Sequence, residues 1–137
     1  MRDDLIRKIN TQKLIPEPSH SLPVVSLEDF FEGNTDESSI GCNLLDHPGI
    51  EKFYSVLMTL RDKDCVQDIL VEIYEVEEDY WPFSERVYIL SNLSIEEVSN
   101  FISDLQPSDI GEGYQFGEPK VAPLLKEGFS VFSVWWD

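Results

Sequence analysis

Apolar residues recur along this chain with two periods. Ile50, Phe53, Tyr54, Leu57 and Leu60 fall three and four apart, which puts them on one side of a helix over 50–61, closed by the charged turn Arg61-Asp62-Lys63-Asp64. A second helix is predicted over 94–105. There Ser94 and Glu97 match a capping box, Ile95, Val98, Phe101, Ile102 and Leu105 supply the apolar side, and Pro107 ends the run. Alternation takes over at 66–76, where Ile69, Val71 and Ile73 face one way and Leu70, Glu72 and Tyr74 the other. It returns at 86–91 and 129–136. Ile40-Gly41-Cys42-Asn43-Leu44 alternates as well and predicts a short strand over 39–45.

In chain order these elements read β-α-β-β-α-β. The expected class is α+β: a four-stranded, mostly antiparallel sheet with two main helices in the ferredoxin-like arrangement. Both helices would cover one sheet face through right-handed crossovers. The other face, carrying Leu70, Glu72, Tyr74 and Tyr88, is left to the N-terminal segments, a second subunit or a partner. Residues 1–23 read as an N-terminal arm and proline-rich connector, with Leu5, Ile6 and Ile9 on a short helix over 2–13 before Pro16, Pro18 and Pro23. A single domain over 24–137 follows. Ser26 caps one or two helical turns holding Leu27, Phe30 and Phe31, and Gly33-Asn34 ends them. Residues 106–128 read as a long loop, and an extra strand from 23–26 or 113–122 is the expected departure from this plan.

Composition narrows the function. With 137 residues, 42% hydrophobic and 12% aromatic, the chain has the apolar content for a core and is not a disordered acidic tail. Its formal charge is −17, distributed as +2 over residues 1–13 and −19 over the rest. Such a body repels nucleic-acid phosphates and anionic membranes and attracts basic partners. Acidity also serves solubility alone, which is the competing explanation. No apolar run is long enough for a membrane span and none follows the N-terminus as a secretory signal, so a cytoplasmic location is expected.

Candidate chemistry is sparse. Cys42 and Cys65 are too few for a disulfide framework, and with His20 and His47 they lack the spacing of a zinc site. Glu32 to Asp36 begins like a calcium loop, but Glu37 and Asn43 occupy the positions that need glycine and a carboxylate. Gly111-Glu112-Gly113 lacks the rest of a nucleotide-binding motif. No metal and no cofactor are expected. Cys42 and His47 form the one nucleophile–base pair worth testing, for a hydrolase-type reaction. Without it the chain is not expected to be an enzyme. The feature that stands out is acids interleaved with aromatics. Glu77, Glu78, Asp79, Tyr80 and Trp81, together with the acidic segment containing Glu28, Asp29, Asp36 and Glu37, form the candidate interface.

The segments Ser26 to Asn34, Ile40 to Leu44 with His47-Pro48-Gly49, Trp81 to Tyr88, and Val134-Trp135-Trp136-Asp137 resemble those of a group of small, uncharacterised bacterial proteins. Some acidic single-domain proteins of that kind look like immunity proteins encoded beside toxins. The resemblance implies an immunity-type protein-binding role and transfers no functional residue. The expectation is therefore an acidic protein-binding module for a basic partner, as monomer or homodimer. The alternative is a homo-oligomeric structural domain with no basic partner.

Overall fold

Five short strands pair into one antiparallel sheet: β1 (Val24–Ser26), β2 (Val66–Glu72), β3 (Arg86–Ser91), β4 (Asp109–Glu112) and β5 (Ser130–Trp135), in the spatial order β1-β2-β3-β5-β4. Around it stand α1 (Arg2–Lys13), α2 (Leu27–Phe31), α3 (Ile50–Arg61) and α4 (Ile95–Phe101), with one-turn 3-10 helices at Glu37–Ser39 and Ser103–Leu105. This computed structural model describes residues 1–15 and 21–137; the connector prolines Pro16 and Pro18, and His20, lie outside the described residues. No helix among the described residues is long and apolar enough to cross a membrane.

The register sorts the side chains onto two faces. Val25, Val71, Val87, Val134 and Ile110 form one row across the sheet, and Ile69, Ile89 and Phe132 the next. This face carries the main core, where Leu5 and Ile9 of α1, Phe30 and Phe31 of α2, Phe53, Leu57 and Leu60 of α3, and Val98 of α4 meet it. Trp136, just past β5, is 1% exposed; its indole N–H donates to the Leu105 carbonyl at 2.7 Å and its ring lies edge-on to Phe53.

The opposite face, expected to be covered by the N-terminal segments, a second subunit or a partner, is covered instead by the chain's own loop after β4. Val24, Leu70, Tyr88, Leu90 and Val131 form a second, smaller core against Tyr114, Ala122 and Leu125 from the loop after β4. Glu72 lies at the end of this face, 2% exposed. It accepts a hydrogen bond from the Tyr88 hydroxyl and sits 3.6 Å from Nε of Arg86, whose Nη1 donates to the Ser133 hydroxyl. The Gln115 amide donates to Tyr88 Oη at 3.2 Å and ties the loop to the network.

The ferredoxin-like, four-stranded order is corrected in two places. Residues 39–45 are not a strand: Ile40 makes a single bridge to Ser84, and the chain then turns through Gly41 at φ +65°. A Cβ on Gly41 would meet Leu44 and Phe53 at 3.0 Å, so the small residue that mimicked alternation is there for a tight turn against α3. The place beside β2 is taken by Val24–Ser26, and the long loop contributes β4. All the strand pairings among the described residues are antiparallel, so the sheet they form contains no parallel crossover.

One edge of the sheet is closed by a side chain. The Gln12 amide of α1 donates to the Val24 carbonyl at 2.6 Å, and its oxygen accepts the Val24 N–H at 3.0 Å, as a neighbouring strand would. Gln12→Leu keeps the buried volume but leaves both backbone groups unsatisfied. It is expected to lower stability by about 1–3 kcal/mol in urea unfolding, with no change if water replaces the amide.

Candidate binding cleft

Residues far apart in sequence meet where the β2–β3 connection folds back. Tyr74 N–H donates to the Phe83 carbonyl and Phe83 N–H to the Glu75 carbonyl, both at 2.8 Å, forming a narrow neck. Ser84 N–H donates to the Ser39 carbonyl at 2.7 Å, which fastens the 37–39 turn to this neck. Asp36 caps that turn, its carboxylate accepting the Ser38 amide at 3.0 Å and the Ser38 hydroxyl at 2.6 Å. The Trp81 indole donates to the Phe30 carbonyl at 2.8 Å, locking its ring to α2. From the other side Arg2 donates to the carbonyls of Tyr80 and Glu77 at 2.8 and 3.0 Å, holding the tip against α1.

Between these fixed points lies a cleft of about 300 Å³, lined by the carboxylate-bearing Asp36, Glu75 and Glu77, the rings of Tyr80, Trp81 and Phe83, and Cys42 at its side. Tyr80 is 59% exposed, an aromatic face available to a visitor. Glu75 and Glu77 have no cationic partner among the described residues. A cation entering here would find carboxylates beside aromatic walls, a setting suited to a basic side chain with an apolar stem.

The structure divides the sequence candidates. Asp36, Glu77, Tyr80 and Trp81 come together at the cleft, while Glu78 and Asp79 stay exposed at the tip and Glu37 opens the 3-10 turn, outside the lining. Glu28 and Asp29 start α2 and are neutralised within the chain. Arg61 grips Glu28 through two contacts of 2.5 and 2.7 Å, and Lys8 reaches Asp29 at 2.8 Å. The Arg61 guanidinium holds the Glu28 carboxyl below its ordinary range. Phe83, which closes the acid-aromatic run from Glu77, joins the lining as well, whereas Glu75 was not among the sequence candidates. Its signal was the acid-aromatic alternation Tyr74-Glu75 just before the tip, which reads equally well as plain strand.

Cys42 and His47 do not form a nucleophile–base pair. The Gly49 amide donates to His47 Nδ1 at 2.9 Å, so Nε2 carries the proton and donates to the Ile40 carbonyl at 2.8 Å. Both ring nitrogens are engaged in holding the 40–49 turn, and the ring packs near Phe53.

The Glu72 network differs from the cleft in kind. Burial pushes the Glu72 carboxyl above its ordinary range, against the lowering pull of the Tyr88 hydroxyl and Arg86; burial also raises the Tyr88 phenol, helped by the Glu72 carboxylate. Its charges answer one another, so it holds the loop over the sheet rather than presenting a site.

A family model described as "Uncharacterized protein YfbO family" matches residues 1–134. The Escherichia coli (strain K12) protein described as "Uncharacterized protein YfbO" is 30% identical over 130 residues, covering 94% of this chain and 93% of that protein. No solved structure matches the chain.

Proposed function

The chain belongs to the uncharacterised YfbO family, and from that premise, which brings no chemistry of its own, we propose that it is a binding protein that engages a basic protein partner through the cleft between the 36–42 segment and the 75–83 connection. One observation carries this reading. Glu28, Asp29 and Glu72 each pair with an arginine or lysine of the same chain, whereas the Glu75 and Glu77 carboxylates line a concave, aromatic-walled space and make no ion pair among the described residues, Arg2 reaching only the Glu77 and Tyr80 carbonyls. A partner's lysine or arginine supplies the missing charge, its methylenes lie on Trp81 and Tyr80, and the surrounding field of the −17 chain steers it in. An immunity-type role in the cytosol, neutralising a basic toxin, is the biological form of this reading that the acidity and the engaged His47 support best. It assigns no catalytic step to the chain.

The test is titration of the product of the neighbouring gene, with a short arginine-lysine peptide as a second probe, against the protein and its Glu75→Gln/Glu77→Gln variant. The glutamines keep the shape of the cleft and remove its charge. Affinity is expected to fall about tenfold or more for both ligands, and the salt dependence of the association rate to flatten. Equal affinity and equal salt dependence in the variant would remove the cleft from the interface.

A further inference from the structure

The two edges of the sheet are not alike. β1 is closed by Gln12, but β4, the strand at the other end, has no neighbour beyond it among the described residues. The register pairs Asp109 with Trp135 and Gly111 with Ser133, and the Gly113 amide donates to the Val131 carbonyl at 2.8 Å. These odd-numbered residues turn their backbone groups toward β5, so those of Ile110 and Glu112 point outward, as an unpaired strand edge does. Beside this edge runs a groove of about 470 Å³ between α4 and β4, bordered by Ile95, Glu96, Asn100, Pro107 and Ile110. A Cβ on Gly111 would meet nothing within 4 Å, so the space over the opposite side of the strand is open too.

We infer that the β4 edge is a second binding surface, separate from the cleft, and that it takes an extended segment of another protein that adds to the sheet as a sixth strand. Such strand addition draws affinity from backbone hydrogen bonds and selectivity from alternate side chains. The charges choose the occupant. A second copy of this chain brings a body of the same −17 charge to the edge, and because outward-facing residues pair only with each other, its Glu112 falls opposite Ile110, where it meets no opposite charge, or opposite Glu112 itself. Like charges placed directly opposite destabilise a strand pair. A segment carrying lysine or arginine opposite Asp109 and Glu112 meets opposite charge instead.

The register also dictates the pattern of the segment. In an antiparallel addition the residue opposite Glu112 is basic, the next lies over Gly111 where a large side chain has room, the third lies opposite Ile110 and sends an apolar side chain toward the groove, and the fourth, opposite Asp109, is basic. The motif is basic, large, apolar, basic.

An acetylated, amidated hexapeptide centred on Lys-Tyr-Val-Lys tests this, against the same peptide N-methylated at its first lysine and its valine, the two amides that face the edge. The unmodified peptide is expected to protect the Ile110 and Glu112 amides from hydrogen exchange, and the N-methylated one to bind at least about tenfold more weakly although its charge is unchanged. Equal binding of the two peptides, or protection confined to residues 75–83, overturns the inference and leaves the cleft reading standing. Protection of Ile110 and Glu112 that grows with protein concentration in the absence of peptide also overturns it, by making a second copy the occupant. Loss of peptide binding in Glu75→Gln/Glu77→Gln with no loss in Asp109→Asn/Glu112→Gln does the same.

Discussion

Arg86→Met is expected to cost about 3–5 kcal/mol of stability at neutral pH, and much less in acid. Arg86 and Glu72 are both nearly buried, with side chains 12% and 3% exposed, so removing the cation strands a carboxylate where water cannot reach it. The acid side follows from proton linkage. Burial already holds the folded-state Glu72 above its ordinary range, so the fold binds this proton more tightly than the unfolded chain. The group's contribution to stability is therefore greatest when it is protonated, and falls as pH rises from the usual carboxylate range through the raised folded value. Arg86 is one of the influences that limit this rise, so its loss moves Glu72 further up and enlarges the penalty on the alkaline side. Urea unfolding of both proteins at about pH 7 and about pH 4 measures the difference. A penalty that stays the same at both would mean that the Arg86 packing, against Phe116 for instance, outweighs its charge.

Trp136→Ala is expected to cost about 3–5 kcal/mol at any pH, from a large cavity between α3 and the end of β5. The Leu105 carbonyl loses its only indole donor in the same step, so the turn at 103–105 should loosen as well. Thermal unfolding reads the first effect and amide exchange near Leu105 the second. Trp136→Phe separates them, because it restores most of the volume without the N–H. A loss under about 1 kcal/mol for the alanine variant would mean that this corner collapses and refills the space.

Where burial is one-sided and the run is long, the pattern of residues was enough to place the element. Ile50 to Leu60, the Ser94–Glu97 capping box, and the runs around Val71, Ile89 and Phe132 lie where their periods put them. Alternation misled at Ile40 to Leu44, because a turn built on a glycine under a phenylalanine leaves the same trace as a strand. The extra strand expected over 23–26 is there as Val24–Ser26, whereas 113–122, the other place expected for one, is not a strand. β4 lies just before it and holds one apolar side chain in four, so its strand character comes from β5, which offers backbone partners, and that is tertiary information. The same limit explains the cleft. The acids were visible one by one, but whether each is available depends on contacts such as Arg61 with Glu28, 33 residues apart, and Ser84 with Ser39.

Gln12 has a consequence for assembly. Growth of a sheet from molecule to molecule needs two open edges on every unit, one to accept and one to offer. A domain whose one edge is occupied by its own helix has a valency of one: edge-to-edge contact between copies stops at a pair and cannot propagate. In the Gln12→Leu variant the leucine keeps the buried volume under α1, so the β1 edge stays covered although Val24 loses its partners. Light scattering in rising salt, where the −17 charge is screened, is expected to show no species larger than a pair for the protein or for the variant.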